Sequence, residues 1–183
     1  TLELTVANLP EDELGQGYEY LIKKFADDSG HTAAEFYTNR TVVHLMTEML
    51  DVQPGESVYD PTCGSGSLLL KVADAALPIR VTLYGQEKDA ATSGLARMNM
   101  ILHDNPTAQV TQGNTLTDPR FKDNQGLKTF DYVVANPPFS DKRWSTGLVP
   151  QDDPHQRFVY GAPPKKQGDY AYLLHILRSL KPN

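Results

Sequence analysis

The sequence has one cysteine, no long hydrophobic run and no excess of basic residues. The single Cys63 excludes a disulfide within the chain and is typical of a protein from a reducing cytoplasm. No apolar run approaches the roughly 20 residues that a transmembrane helix needs. The first ten residues, TLELTVANLP, lack the basic start and apolar core of a signal peptide. These absences exclude a disulfide-stabilised scaffold and predict no membrane partner, and no metal site is predicted.

Positive charge is also scarce, because 17 Lys and Arg face 23 Asp and Glu, for a net charge of −6. A protein that binds nucleic acid by itself needs a basic surface to neutralise phosphates, so this balance disfavours such a protein. The charge is uneven, however: residues 1–140 carry −9 and residues 141–183 carry +3. The basic segment is consistent either with a solvated loop and helix or with a phosphate contact.

Strand and helix patterns alternate through most of the chain. Apolar spacing predicts helices over residues 17–28, 40–50, 67–76, 88–103 and 170–180, with Asn39 and Asp169 as caps. Short apolar runs predict strands over residues 57–59, 81–84, 108–112 and 130–135. Parallel strands need crossover connections, so the alternation predicts an α/β fold with a parallel sheet flanked by helices. Residues 141–168 are rich in Pro and Gly and predict a long loop, either functional or disordered.

Each predicted strand is followed closely by a polar residue: Asp60, Glu87, Asn114 or Asn136. The carboxyl ends of parallel strands lie at one edge of a sheet, and ligands bind there in open α/β folds. The four side chains are therefore expected to meet around one small molecule.

The segment YDPTCGSGSLLL, residues 59–70, predicts a strand, a glycine turn and a helix. Gly64 and Gly66 permit a tight turn and close approach to a ligand, and a helix N-terminus offers free N–H groups. Asp60 stands just before the turn, where a carboxylate could hold an ammonium group. The alternative is a plain turn between a strand and a helix. The third glycine of the dinucleotide fingerprint is absent, which disfavours a nicotinamide dehydrogenase.

Glu87 and Asn114 offer groups that suit a nucleoside. A carboxylate at the end of a second strand, 21 residues after Gly66, can accept both hydroxyls of a ribose. An amide side chain can both donate to and accept from an adenine edge. The alternatives are an exposed Glu at a helix start and an Asn that caps a turn.

The segment DYVVANPPF, residues 131–139, ends an apolar run with an amide, two prolines and an aromatic ring. Pro138 has no N–H and the prolines fix φ, so the Pro137 carbonyl is a rigid acceptor beside the Asn136 side chain. Two such acceptors can hold an –NH₂ group, and Phe139 offers a flat face for a planar base. Accepting both hydrogens frees the nitrogen lone pair without a general base. The alternative is a turn that only ends a strand.

In chain order, the segments DPTCGSGSLLL, YGQE, GNTL and NPPF resemble the motifs of S-adenosylmethionine-dependent DNA adenine-N6 methyltransferases. The upstream EFYTNRTVVHLMTEML resembles the motif that precedes the glycine loop in the gamma-ordered group. LGQGYEYLIKKFAD and GDYAYLLHILRSLKPN resemble parts of the modification subunit of type I restriction-modification systems. The resemblance extends from Leu14 to Asn183.

This resemblance implies a Rossmann-like methyltransferase fold, S-adenosyl-L-methionine as methyl donor, and methyl transfer to the amine of a flipped-out adenine. It implies DNA, a DNA-specificity subunit and a restriction subunit as partners in a bacterial or archaeal cytoplasm. The implied cofactor-binding residues are Tyr37, Thr38, Asp60, Pro61, Thr62, Gly64, Ser65, Gly66, Ser67, Glu87, Asn114, Thr115 and Leu116. The implied catalytic residues are Asn136, Pro137, Pro138 and Phe139. The closing helix, with Asp169, would support them. The family usually has Asp where Asn114 stands.

Residues 1–35 are expected to end a helical N-terminal region, and residues 36–183 to form a partial methyltransferase domain, incomplete at both ends. Such a subunit is longer than this chain, so we expect a fragment whose sheet has an open edge after the fourth strand. Two alternatives stay open. One is a methyltransferase that modifies a protein glutamine or an RNA base. The other is a module that keeps the fold but has no activity of its own.

Overall fold

The computed structural model describes residues 40–124 and 126–182, together with Gly17, Tyr18, Tyr20, Leu21 and Lys24. Those five are helical, in agreement with the helix predicted from Gly17 onward. The rest of that helix, the predicted Asn39 cap and the candidate cofactor residues Tyr37 and Thr38 lie outside the described residues.

Helices and strands alternate from the first described helix to the third strand, as the sequence predicts, and three more strands follow before the last helix. In order they are α1 (Arg40–Glu48), β1 (Ser57–Asp60), α2 (Ser67–Ala76), β2 (Thr82–Glu87), α3 (Ala90–Leu102), β3 (Gln109–Gln112), β4 (Lys122–Asp123), β5 (Gly126–Leu127), β6 (Tyr132–Val133) and α4 (Asp169–Ser179), with a 3₁₀ turn at Pro150–Asp152. The antiparallel hairpin of β4 and β5 is an addition to the predicted elements, because strands of two residues show no readable periodicity.

Four strands form one parallel sheet in the order β3-β2-β1-β6, joined by three pairings. From β1 the chain builds outward through β2 to β3 and then crosses to the other side of β1 to form β6. The boundary between β1 and β6 is therefore the point where the strand order reverses, which is where open α/β sheets bind ligands. The predicted parallel, Rossmann-like sheet is confirmed.

The fourth strand is shorter than predicted. The ladder with β1 covers only Tyr132 and Val133, although the Val134 N–H also donates to the Tyr59 carbonyl at 2.9 Å. At its other end Phe130 pairs in parallel with Leu180, just after α4. Two bonds fix this contact: the Phe130 N–H to the Ser179 carbonyl, 2.8 Å, and the Lys181 N–H to the Phe130 carbonyl, 2.9 Å. The predicted strand 130–135 thus divides its bonds between two neighbours.

Both faces of the sheet are covered. Val58 and Tyr59 are adjacent on β1, and they belong to different buried clusters because successive side chains point to opposite faces. One face packs against α1, α2 and α3, with a core of aliphatic side chains and Met100. On the other face Tyr59 stacks with Phe130 at a centroid distance of 4.5 Å, and its hydroxyl lies 3.4 Å from His175 Nε2 of α4. Two-sided coverage is what a parallel sheet requires.

The predicted loop 141–168 is packed against the domain. Trp144 and Phe158 are buried, with ring centroids 5.6 Å apart, and they share a cluster with Leu116, Ala171 and Tyr172. The loop therefore forms a small second core between the segment after β3 and α4.

Two helix starts differ from the prediction. α3 begins at Ala90 rather than Lys88, because the Asp89 carboxylate accepts the Thr92 N–H at 2.8 Å and caps the helix. Asp169 is not a cap, so that prediction is wrong: it is the first residue of α4, after Gly168. Its carboxylate instead accepts the Ser140 N–H at 2.6 Å, a partner 29 residues away.

Gly66 is favoured in the glycine turn both by its backbone conformation and by the close packing of α3. Its φ is +83°, and an added Cβ would lie 2.6 Å from Met100 Cε of α3. We expect Gly66→Ala to lower the free energy of unfolding by about 1–3 kcal/mol, measured by urea denaturation. Gly94→Ala is the matched control, since a Cβ there meets nothing within 4 Å and Ala favours the helix by up to about 1 kcal/mol. Equal effects of the two substitutions would contradict the packing role.

Candidate active site

The polar residues predicted at the strand ends do converge on one edge of the sheet. Asp60 and Glu87 are the last residues of β1 and β2, and Asp60 is in register with Gly85. Asn114 follows β3 by two residues, and Asn136 follows β6 by three. All four strands are parallel, so these residues lie at the carboxyl edge, on both sides of the reversal point.

The glycine turn folds over the end of β2. The Cys63 N–H donates to the Gln86 carbonyl at 3.0 Å, and the Gly64 N–H donates to Glu87 Oε2 at 3.0 Å. Gly85 makes room for this crossing, because a Cβ there would lie 2.9 Å from Cys63 Sγ. At Gly64, by contrast, an added Cβ would meet no atom within 4 Å, and φ is +54°. The turn is thus packed against β2 at Cys63, whereas space remains next to Gly64.

The Asp60 carboxyl is only 2% exposed, and its Oδ1 accepts the Thr62 N–H at 2.9 Å. Burial raises the pKa of Asp60 to about 7, and the nearby charge of Glu87 adds to the rise. A desolvated carboxyl beside a second carboxylate favours a cation as its neighbour, because a positive charge lowers the cost of ionisation.

Glu87 joins three parts of the site. Its Oε2 accepts from Gly64 in the glycine turn, and its Oε1 accepts the Asp89 N–H at 2.8 Å, next to the start of α3. Burial raises the pKa of Glu87, while these backbone N–H groups oppose the rise. Each carboxylate oxygen has two lone pairs, so a hydroxyl donor can still be accepted.

The segment after β3 is held by side-chain bonds. Asn114 Oδ1 accepts the Leu116 N–H at 2.9 Å and the Thr117 N–H at 3.4 Å, so the Asn caps its own turn. Thr115 Oγ1 donates to the Pro61 carbonyl and ties this turn to the end of β1. The Asn114 –NH₂ group is a donor only, so it would contact an acceptor atom of a ligand.

The NPPF turn leaves the sheet beside β1. Asn136, Pro137 and Pro138 are half-buried, whereas the Phe139 side chain is 77% exposed. The turn ends at Ser140, whose φ of +53° is uncommon for a residue with a side chain and is stabilised by the bond to Asp169. The contact of Asp169 in α4 with Ser140 thus joins the closing helix to the end of the NPPF turn.

A buried cation that the sequence analysis missed lies behind the site. Arg157 is 3% exposed, and its Nε and Nη2 donate to the two oxygens of Asp153 at 2.9 and 2.7 Å. It also donates to the carbonyls of Leu116 at 2.8 Å and Thr115 at 3.3 Å, and lies 3.4 Å from His175 Nδ1. The spacing of Asp153 and Arg157 was the available signal, but Pro and Gly around it indicated only a loop.

The charge of Arg157 affects the protonation of its two ionisable neighbours, Asp153 and His175. Burial alone would raise the pKa of Asp153, but the Arg157 guanidinium holds it below its usual value. Burial, with the charge of Arg157, lowers the pKa of His175 to about 3, so the imidazole is neutral. The loop 141–168, the segment after β3 and α4 therefore share a single charge-paired centre.

Neither a metal centre nor a membrane segment is seen in the part of the chain that the structure describes. Residues 40–124 and 126–182, with the five helical positions before them, contain no group of three or more His, Cys, Asp or Glu placed to bind a metal. Of the helices in these same ranges, none is long and apolar enough to cross a membrane.

The fold defines a class: it is the Rossmann-like fold of S-adenosylmethionine-dependent methyltransferases. A solved structure described as a putative class I S-adenosylmethionine-dependent methyltransferase from Listeria monocytogenes aligns with a TM-score of 0.69 at 17% identity, over 98% of this chain and 53% of that one. A solved type I restriction-modification methyltransferase subunit from Streptococcus thermophilus aligns with a TM-score of 0.79 at 37% identity, over 97% of this chain and 38% of that one.

The family model described as N-6 DNA Methylase matches residues 10–183, and the chain belongs to this family. The type I restriction enzyme MjaIX methylase subunit of Methanocaldococcus jannaschii is 35% identical over 94% of this chain and 31% of that protein. The chain therefore spans about a third of the length of the type I subunits that it matches.

We expect Arg157→Met to lower the free energy of unfolding by about 3–5 kcal/mol in urea denaturation, because it leaves the Asp153 carboxylate buried without its partner. The double variant Asp153→Asn, Arg157→Met should recover part of the loss. Arg178→Met is the control at an exposed arginine and should change stability by less than about 0.5 kcal/mol. Similar losses at Arg157 and Arg178 would show that the buried pair has no special weight.

Asp60 is expected to oppose folding when it is ionised. Its pKa is about 7 in the folded state against 3.8 for the free group, so the folded protein keeps a proton that the unfolded chain releases. The contribution of Asp60 to stability therefore falls as pH rises from about 4 to about 7. We expect Asp60→Asn to be more stable than the unsubstituted protein by about 1–3 kcal/mol at pH 8 and nearly equal at pH 4. A difference independent of pH in thermal unfolding would contradict this assignment.

Proposed function

We propose that the chain contains the cofactor-binding and catalytic region of a DNA adenine-N6 methyltransferase, the modification subunit of a type I restriction-modification complex. The observation that carries the proposal is the position of the NPPF turn, beside the buried Asp60 and the glycine turn at the reversal point of the sheet. The family membership and the relatives named as type I methylase subunits support the DNA substrate.

The residues at the sheet edge fit S-adenosyl-L-methionine in their chemistry. Asp60 would hold the cofactor's ammonium group, and the free N–H groups at the start of α2 would hold its carboxylate. Glu87 would accept the ribose hydroxyls, and Asn114 would donate to the adenine. Open space at Gly64 leaves room for close approach of a ligand to the backbone. When bound, the cofactor supplies a methyl group on a sulfonium centre.

The NPPF turn would position the target. The Asn136 side-chain oxygen and the Pro137 carbonyl accept the two hydrogens of the adenine amine, while the exposed Phe139 ring stacks on the flipped base. Both acceptors are neutral, so the amine nitrogen would keep both hydrogens while its lone pair is aligned for transfer, and one proton would be released to water after methylation. The chain thus contributes alignment and two fixed dipoles rather than a general base.

The net charge of −6 supports a division of labour in which a separate specificity subunit reads the DNA sequence. A restriction subunit would complete the complex, and the relatives' names, which describe methylase subunits of type I restriction enzymes, support this part of the proposal.

Asn136→Ala should reduce the rate of methyl transfer to DNA adenine about 100-fold or more, because one of two acceptors aligned on the amine is removed. Binding of S-adenosyl-L-methionine, measured by calorimetry, should stay unchanged. The matched control is Asn124→Ala at an exposed position in the β4–β5 hairpin, which should leave both quantities unaltered. Full activity of Asn136→Ala would sink the role proposed for this amide.

The substrate class is tested by the same chemistry, since two carbonyl acceptors suit any planar –NH₂ group. Labelled methyl should enter DNA and not RNA or a protein glutamine when all three are offered to the intact enzyme. Label in RNA or protein alone would replace the proposal with the corresponding methyltransferase. Failure of the wild-type enzyme to bind the cofactor would favour a module with the fold but no activity.

A further inference from the structure

Four exposed cations are brought together next to the NPPF turn. They come from two segments of the loop 141–168 and are called the basic patch here: Lys142, Arg143, Lys165 and Lys166. The segments are joined by the Trp144 Nε1–H bond to the Pro164 carbonyl, 3.0 Å, and the Gly168 N–H bond to the Asp141 carbonyl, 3.1 Å.

The two segments also pack closely against each other. Trp144 is only 2% exposed, and a Cβ on Gly168 would lie 2.6 Å from Trp144 Cβ. The basic patch therefore rests on a buried indole and on main-chain bonds, which hold its two halves side by side. Its backbone positions are fixed although its side chains are exposed.

The basic patch keeps its charge free for a partner. Among the described residues, none of its four members forms an ion pair, whereas other exposed cations pair with aspartates: Lys71, Arg80, Arg120 and Lys181. Two acidic residues lie close by, but both bind backbone N–H groups. Asp141 Oδ1 accepts from Arg143 at 2.8 Å, and Asp169 Oδ1 accepts from Ser140.

The position of the patch indicates what it meets. Asp169 connects α4 to Ser140, and Ser140 directly follows the exposed Phe139 ring. A base that stacks on this ring brings its own sugar and the neighbouring phosphates to the same surface. Elsewhere the chain is acidic, with −9 over residues 1–140, so phosphates would be repelled there.

We propose that the basic patch binds the phosphate backbone of the strand that carries the target base. This inference rests on the proposed function and adds the surface that holds the DNA during base flipping. Lys and Arg at phosphates position a duplex without reading its sequence, so the binding is independent of sequence. An acidic surface of a partner subunit is the competing occupant, and the following experiment separates it from DNA.

The experiment measures how DNA binding by the intact enzyme depends on salt. The probe is a fluorescein-labelled duplex of mixed sequence with one mismatched adenine, which flips at lower cost than a paired base. Fluorescence anisotropy gives the dissociation constant at several salt concentrations. The test variant is Lys142→Gln, Lys165→Gln, with one change in each segment. The matched control is Lys24→Gln, Lys122→Gln, which removes the same charge from exposed positions elsewhere.

We expect the test variant to lower the slope of log affinity against log salt by about 0.9 for each phosphate that is no longer neutralised, so by about 2 for the pair. The control should keep the wild-type slope. The variant Lys142→Arg, Lys165→Arg should also keep the wild-type slope, since Arg neutralises phosphate as Lys does. The affinity for S-adenosyl-L-methionine should be the same in all variants, which shows that the cofactor site is intact.

Two results would overturn the inference while leaving the proposed function standing. In the first, the wild-type enzyme methylates adenine but the slope of the test variant is unchanged. In the second, the test variant no longer binds the specificity subunit in a pull-down while its DNA slope stays the same, which assigns the patch to a protein partner. A wild-type enzyme that neither methylates nor binds the duplex overturns both proposals.

Discussion

The guanidinium of Arg157 is the interaction on which the second half of the site depends. It is buried, paired with both oxygens of Asp153 and bonded to the main chain after β3. A buried charge with fewer partners would be expelled or would disrupt its surroundings, so the arrangement is all or nothing. The loop 141–168, which carries the basic patch, is therefore tied to the segment after β3 and to α4 through one buried cation.

In the first half of the site, two buried carboxyls lie close together, and their ionisation is unfavourable. Asp60 and Glu87 place two carboxylates in a desolvated corner, and the pKa of each is raised by burial. Backbone N–H groups relieve Glu87 on both oxygens, while Asp60 has Thr62 as its support. Two carboxyls held in this way lower the stability of the fold when they ionise, which is common at functional sites.

The sequence predicts features that depend on neighbouring residues and misses those that depend on distant ones. α2 has its predicted bounds because a glycine turn and an apolar period are local signals. The cap predicted at Asp169 is wrong, since its partner Ser140 is 29 residues away. Arg157 is not predicted because its partners come from three parts of the chain.

The convergence of Asp60 and Glu87 is predictable because parallel strands place their ends at one edge. At Asn114 the structure shows the turn-cap alternative, because its oxygen accepts the Leu116 N–H, and a contact of its amide with a cofactor stays a proposal.

Cys63 gains a meaning from its place in the glycine turn. Its side chain lies over Gly85 and is buried, and burial raises the pKa of the thiol well above its usual value. A protonated, covered thiol is a poor nucleophile, so alkylating reagents and oxidants meet it only when the turn lifts from β2. The rate at which a reagent labels this thiol therefore measures how well the glycine turn is held against β2.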